Sequence, residues 1–268
     1  GGPLKVSKAT DEGPLYDALR DAATELGIPH NTDYNGVSQE GIVRTQTTIS
    51  NGVRMSTARC YLKPIKNRKN LRIETGAHTQ KVIMEGKRCV GIDYHCKGKT
   101  IRAKASKEVI ICTGGVASPQ LLELSGIGQP ELLRSHGIKI EHELMGVGEH
   151  LRDHINAPIK FHMKRGDLSY NKRMQGLGPA WQVLRYLFQK RGFMSLPSAP
   201  MLAFLRTRDD METPDVQMHI VPYAVKNYKK RLLHDFPGIT MAVYQLRPES
   251  LGSIHIQTPL PSEQPAIN

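Results

Sequence analysis

The sequence predicts a mixed α/β (α+β) chain, with a β-meander in its first part and an antiparallel sheet in its second. Three observations predict it. Four short runs of strand-forming residues follow one another between 71 and 105, separated by glycine-containing turns. An apolar run without alternation, Glu108-Val-Ile-Ile-Cys-Thr113, then leads into Gly114-Gly115 and a helix start, as a strand covered on both faces would. Four later runs, at 201–206, 215–221, 239–247 and 253–258, have the alternating character of strands with one wet face.

The elements follow in order. Pro14, Leu15, Leu19, Ala22 and Leu26 recur at helical spacing, and Gly27 can stop the helix that they predict over 14–26. Residues 31–36 carry turn chemistry. An Asn51-Gly52 pair, which takes φ > 0 at both central positions, predicts a tight hairpin between 45–50 and 53–55. Ser56 can cap a short helix ending before Pro64. The meander is expected from strands at 71–75, 79–84, 89–94 and 100–105. The helix after the 108–113 strand is expected to start at Ser118-Pro119, with Ser118 as cap. Gly146-Val-Gly148 reads as a flexible loop, and Pro179 opens a helix over 181–189 that closes near Gly192. A domain boundary is placed near 155, dividing the chain into 1–155 and 156–268.

Composition describes an ordinary globular protein of 268 residues, 39% apolar and 23% charged. No apolar run reaches the ~18 residues of a membrane span, and the first residues have no apolar segment of a secretory signal. The net charge of +12 raises the question of anionic partners. Its densest clusters, 63–72 and 226–231, contain one aromatic between the basic residues, Tyr228, which is poor provision for stacking bases. Solvated basic faces are the expectation, and no nucleic-acid partner. Four cysteines lack C-x-x-C spacing, so neither a zinc site nor a dithiol centre is implied. Cys112, inside its apolar run, is expected to be buried. A reducing, cytoplasmic compartment is the default.

Among chemical candidates, the strand–glycine–helix passage at 108–119 is a ready place for a negatively charged or ribose-bearing ligand, because glycine admits close backbone approach and helix N–H groups favour phosphate. No G-x-G-x-x-G fingerprint occurs in these residues, and no G-x-S-x-G elbow. His150 and His154 would share one face of a helix and could face a metal, but His-Leu-Arg-Asp-His lacks the Glu after the first His that a zinc hydrolase uses. Hydrogen-bonded histidines are expected there, and no metal.

The run Ala117-Ser-Pro-Gln-Leu-Leu-Glu-Leu-Ser-Gly-Ile-Gly128, with Glu108–Gly114 before it, closely resembles the second signature of the glucose–methanol–choline (GMC) oxidoreductases. Ser56–Pro64 with Asn70-Leu-Arg-Ile, Gly146–His154, Pro214–His219 and Leu246–Ile254 resemble further stretches of that family in the same order. The resemblance implies part of a glutathione-reductase-like FAD domain in 1–155, and in 156–268 part of a substrate domain whose antiparallel sheet roofs the flavin. It implies FAD as cofactor and oxidation of a small-molecule alcohol by hydride transfer. Carried over by position, it places Thr79, Cys112, Thr113 and Gly114 beside the adenosine part, with Gly115 in place of a usual Ala. Arg247 falls near the substrate side. Pro200 falls where choline-oxidising relatives place a carboxylate, which argues against a quaternary ammonium substrate. The family's phosphate loop is expected before Gly1 and its catalytic His after Asn268, so no catalytic residue is assigned and the 268-residue span is expected to be inactive by itself. Two other readings stand beside this one. The first is a non-catalytic basic module for an anionic partner, recognised by salt-sensitive binding. The second is a metal-dependent hydrolase built on His150 and His154, recognised by stoichiometric zinc.

Overall fold

The computed structural model describes residues 2–9 and 13–268. In chain order the principal elements are helix α1 (Pro14–Glu25), strand β1 (Gly41–Arg44), strands β2 (His78–Glu85), β3 (Arg88–Cys96) and β4 (Lys99–Lys104), and helices α2 (Gly114–Leu124) and α3 (Pro130–Ser135). Strand β5 (Asn156–His162), helix α4 (Gly178–Gln189), strands β6 (Met201–Leu205), β7 (Val216–Val221) and β8 (Gly238–Gln245), and the short β9 (Ile254–His255) and β10 (Ala266–Ile267) complete them. They form two compact units interleaved in sequence: Gly1–Leu71 with His154–Arg247, and Arg72–Asp153 with Pro248–Asn268.

The first unit is built on a five-stranded sheet in the order β5-β8-β7-β6-β1, antiparallel throughout. Alternation along β1 and β6 supplies both faces. Ile42 and Met201 join Ile220, Ile239 and the α1 residues Tyr16 and Ala23 in one core, while Val43, Leu202 and Phe204 pack with Ala199, Tyr34 and Leu246 on the other side. Helix α1 forms as its spacing predicts, with Pro14 in the first turn. Its buried stripe centres on Tyr16, Leu19 and Ala23, and Leu26 is left 76% exposed. Two strands of this sheet, β1 and β5, have no counterpart in the sequence reading. β1 is only four residues long and opens on glycine; β5 alternates only in Ile159-Lys160-Phe161-His162, and every one of its residues is exposed.

Other expectations are corrected here. The Asn51-Gly52 hairpin is present, with Asn51 at φ 50° and Gly52 at φ 68° joining Ile49–Ser50 to Val53–Arg54. After it, the Ser56 hydroxyl accepts the Arg59 amide at 3.2 Å, but helical turns continue through Pro64 in Lys63–Ile65. Proline is tolerated there because it opens a new turn, where its missing N–H has no role. Helix α4 turns polar Gln182 inward, where its carbonyl accepts the Phe193 amide at 3.1 Å, and leaves Trp181, Leu184 and Phe188 exposed.

In the second unit β2, β3 and β4 form the expected antiparallel meander. Its predicted first strand is not there: residues 71–75 join no β-ladder. Nor do 108–113 form a strand, and Ile110 is 75% exposed. A strand exists by virtue of its ladder, and among the described residues no strand lies beside this segment. Cys112, expected to be buried, is consequently exposed. Helix α2 starts at Gly114, four residues before the predicted cap, because Gly114 at φ 87° makes the turn that lets the helix begin there.

Candidate functional site

Helix α2 is held against the meander by one residue. The Ser125 hydroxyl donates to Leu121 O at 2.5 Å and accepts the Val82 amide of β2 at 2.9 Å. Leu121 and Val82 are both buried. This fixes the direction in which the start of the helix points.

That start is bare. Thr113 occupies the cap position without a side-chain cap, its hydroxyl lying 3.0 Å from the Ser118 hydroxyl. Space is open over Gly114 and Gly115, where an added Cβ would meet nothing within 4 Å. Pro119 lies inside the helix and removes the amide that would bond Gly115 O. Gly115, Ser118 and Pro119 form one wall of an open cavity of about 460 Å³, lined on its other side by Leu144, Gly146–Glu149, Leu151 and Ile254.

The opposite wall is the Gly146–Gly148 segment. Sequence reading takes it for a flexible loop; in the structure Val147 is buried, and Gly148 O accepts the Ile254 amide at 2.7 Å. Leu151 and Gly252 exchange backbone hydrogen bonds of 2.9 and 2.8 Å. The loop is thus laced to the segment that returns at 248–268.

Beneath it lies a cluster that the sequence reading misses. Glu123 of α2 is fully buried; its Oε1 lies 2.7 Å from His255 Nδ1, and its Oε2 accepts the Ile256 amide at 2.9 Å. His255 Nε2 lies 3.1 Å from Glu149 Oε1. Burial works against charge on His255, but hydrogen bonds and attraction from Glu123 and then Glu149 outweigh it and hold its pKa above the ordinary histidine value. Glu149 is held below the ordinary carboxylate value, first by the Gln129 amide and then by His255. A signal was available: a carboxylate inside Leu121-Leu-Glu-Leu124 is anomalous in an apolar helix face.

The sequence-predicted residues distribute as follows. Cys112, Thr113 and Gly114 form the approach to α2, beside the cavity-lining Gly115. Thr79 stands at the start of β2, opposite Tyr94, and is half-buried. Arg247 belongs to the other unit, where its guanidinium donates to Pro214 O at 2.8 Å. His150 has φ 60° and the stretch to His154 is not helical, so the shared helix face required by the metal reading does not form. No cluster of metal-ligating side chains occurs among the described residues.

A family model described as GMC oxidoreductase matches residues 1–156, more than half of the chain. The chain belongs to the GMC oxidoreductase family. Similar curated relatives are two oxygen-dependent choline dehydrogenases of Chromohalobacter salexigens, 37% and 38% identical over 268 and 271 residues, covering 99% and 100% of this chain and 48% of each relative. A third, from Escherichia coli, is 36% identical over 273 residues, covering 100% of this chain and 49% of the relative. The chain therefore spans about half the length of the curated relatives that it matches. Among solved structures, a formate oxidase superposes with TM-score 0.88 at 23% identity, covering the whole chain and 51% of that one. An FAD-dependent oxidoreductase from Chaetomium thermophilum superposes with TM-score 0.85 at 21% identity, covering 53% of its chain. At these identities the structures establish the fold, that of GMC flavoproteins.

FAD is the cofactor of this family. The bare, glycine-opened start of α2 fits a negatively charged or ribose-bearing part of such a group: the backbone can be approached closely at Gly114 and Gly115, and no side chain caps the first helix amides. No helix among the described residues is long and apolar enough to cross a membrane.

Proposed function

We propose that this chain is the central part of an FAD-dependent oxidoreductase that oxidises the CH–OH group of a small alcohol, with hydride passing to the flavin. The observation that carries the reading is the 108–128 stretch, whose glycine turn and helix start present open backbone beside a cavity in a chain of this family. In it Cys112, Thr113 and Gly114 hold the adenosine part through backbone and hydroxyl contacts, with Thr79 contributing backbone from β2. Bound there, FAD supplies the hydride acceptor. This chain's residues bind and orient the adenosine end, and Leu144, Val147 and Leu151 offer it apolar contact.

Removal of the hydroxyl proton needs a base, and no residue of this span is assigned that role. The 268-residue span is accordingly inactive by itself in this reading. In this reading residues 1–155 belong to the cofactor domain and 156–268 to the substrate domain, although the compact units cut across that division, Gly1–Leu71 grouping with His154–Arg247 and Pro248–Asn268 with Arg72–Asp153. Arg247 stays assigned to the substrate side. Four free thiols support a reducing, cytoplasmic compartment. The relatives named choline dehydrogenases favour an alcohol of choline type, against which stands Pro200, a fully buried apolar residue at the position where the family resemblance implies a carboxylate in choline-oxidising members.

The test is to purify the full-length natural protein and record its flavin absorbance anaerobically against a panel of primary and secondary alcohols, choline included. Bleaching by at least one alcohol supports the reading. A full-length protein that retains no flavin, or whose flavin no alcohol reduces, overturns it.

A further inference from the structure

The cavity beside α2 has one wall held by charge. Glu123 rises from α2, Glu149 closes the 146–149 loop, and the His255 ring lies between them, 2.7 Å from one carboxylate and 3.1 Å from the other. Ionised carboxylates only accept hydrogen bonds. A neutral imidazole has one N–H and can serve one of them; the imidazolium serves both. Deprotonation therefore leaves one carboxylate facing a lone pair. Glu149 has a second donor in Gln129 and is 35% exposed at its side chain, whereas Glu123 has none of that exposure. The remaining proton is thus expected to stay with Glu123, and the contact released is the one to Glu149.

The loop's geometry depends on that ring. Gly148, at φ 80°, lies so close that an added Cβ would sit 2.7 Å from His255 Nδ1 and Cε1 and 2.3 Å from Ile254 O. A further titratable group beside this set is His150, adjacent to Glu149 and the weakest of the influences on it.

We propose that His255 is a positioning residue for the cavity, pinned between Glu123 and Glu149 so that the Gly146–Glu149 backbone keeps its shape as a ligand wall. The ligand, resting on the function proposed above, is the adenosine end of FAD. His255 acts through the loop. The sign of the pH dependence follows: the pin is complete below the ordinary histidine range, near pH 6.5, and is lost as pH rises through the raised value of the folded state.

The experiment uses the full-length protein, with FAD dissociation followed by flavin fluorescence from pH 6 to pH 10, alongside hydrogen exchange of the 146–149 amides corrected for intrinsic rate. The wild type should lose affinity about fivefold or more across the window, with loop exchange rising in step. H255Q, neutral throughout, should show weak affinity and fast loop exchange with a flat pH profile. Gly148→Ala should loosen the loop without abolishing a titration at His255. Equal pH slopes in wild type and H255Q overturn the proposal, even where H255Q lowers the melting temperature, since that result shows a merely structural side chain. A protein that binds no FAD at any pH defeats the cofactor reading alone; loop exchange then decides the pin, a pH-dependent rise supporting it and a flat profile refuting it.

Discussion

Asn171 shows how much a single buried amide can organise. It is 2% exposed, and its amide nitrogen donates to Ala224 O and His234 O, both at 2.9 Å, while its oxygen accepts the Ala224 amide at 2.8 Å. The Ser169 hydroxyl beside it accepts the Gly238 amide at 3.0 Å and donates to Gly238 O at 2.8 Å. Asn171→Ala removes three bonds of about 1 kcal/mol each and orphans buried partners, so a loss of about 3 kcal/mol or more is expected from thermal denaturation of the full-length protein. Asn171→Asp should be no milder: it keeps the acceptor but turns a carboxylate on two carbonyl oxygens. A shift no larger than that of exposed Phe188→Ser would show the network to be dispensable. None of this was legible in the sequence, where 151–177 reads as mixed and glycine-interrupted, because the partners of Asn171 come from residues more than fifty positions away. The Glu123–His255 contact, across 132 positions, was hidden for the same reason. The Gly114-Gly115 turn into a helix was legible because glycine chemistry is local, although the helix start was expected four residues later, at Ser118.

At the level of elements, what was legible is what carries its own pattern. Strands β2 to β4 alternate and turn on Glu85-Gly86-Lys87 and Lys97-Gly98-Lys99, so the meander could be read directly. The long strands β6 to β8 likewise announced an antiparallel sheet, whereas β1, four residues opening on glycine, and β5, whose alternation is confined to 159–162, did not. Within the meander, Arg102 grips Asp93 across the β3–β4 ladder with two hydrogen bonds of 2.8 Å. The Arg102 hydrogen bond, working against burial, holds the Asp93 carboxyl below its ordinary range. A depressed carboxylate contributes stability above its unfolded pKa, near 3.9, and loses it as pH falls through the folded value. Arg102→Leu should therefore lower stability at neutral pH, by a modest amount because the guanidinium is more than half exposed. It should also move acid unfolding of the meander to higher pH. Hydrogen exchange of the β3 amides between pH 3 and pH 6 reads this; an unchanged acid limb would show that Arg102 contributes nothing there.

For the whole molecule, the informative disagreement is residues 108–113. Their composition is that of a strand covered on both faces, yet Ile110 is 75% exposed, Cys112 is exposed, and no strand pairs with them among the described residues. Composition records the environment that a segment is suited to, and the ladder records the neighbours that it has. Leaving an isoleucine of this kind in water forfeits about 1.5–3 kcal/mol of burial. This chain spans about half the length of its curated relatives, and on the function proposed above a partner strand is built from residues of the full-length protein beyond this span. If composition is the better guide, the Val109–Cys112 amides should exchange at least a hundredfold more slowly in the full-length protein than in the 268-residue span, and the Cys112 thiol should react correspondingly slowly with a soluble disulfide reagent. Fast exchange and a reactive thiol in both would mean that the segment is an exposed connector whose apolar side chains are tolerated on the surface. The approach to α2 through Thr113 and Gly114 would then lack the rigid strand behind it that a precisely held adenosine requires, and the cofactor contacts assigned to Cys112, Thr113 and Gly114 would have to be sought elsewhere along the α2 cavity.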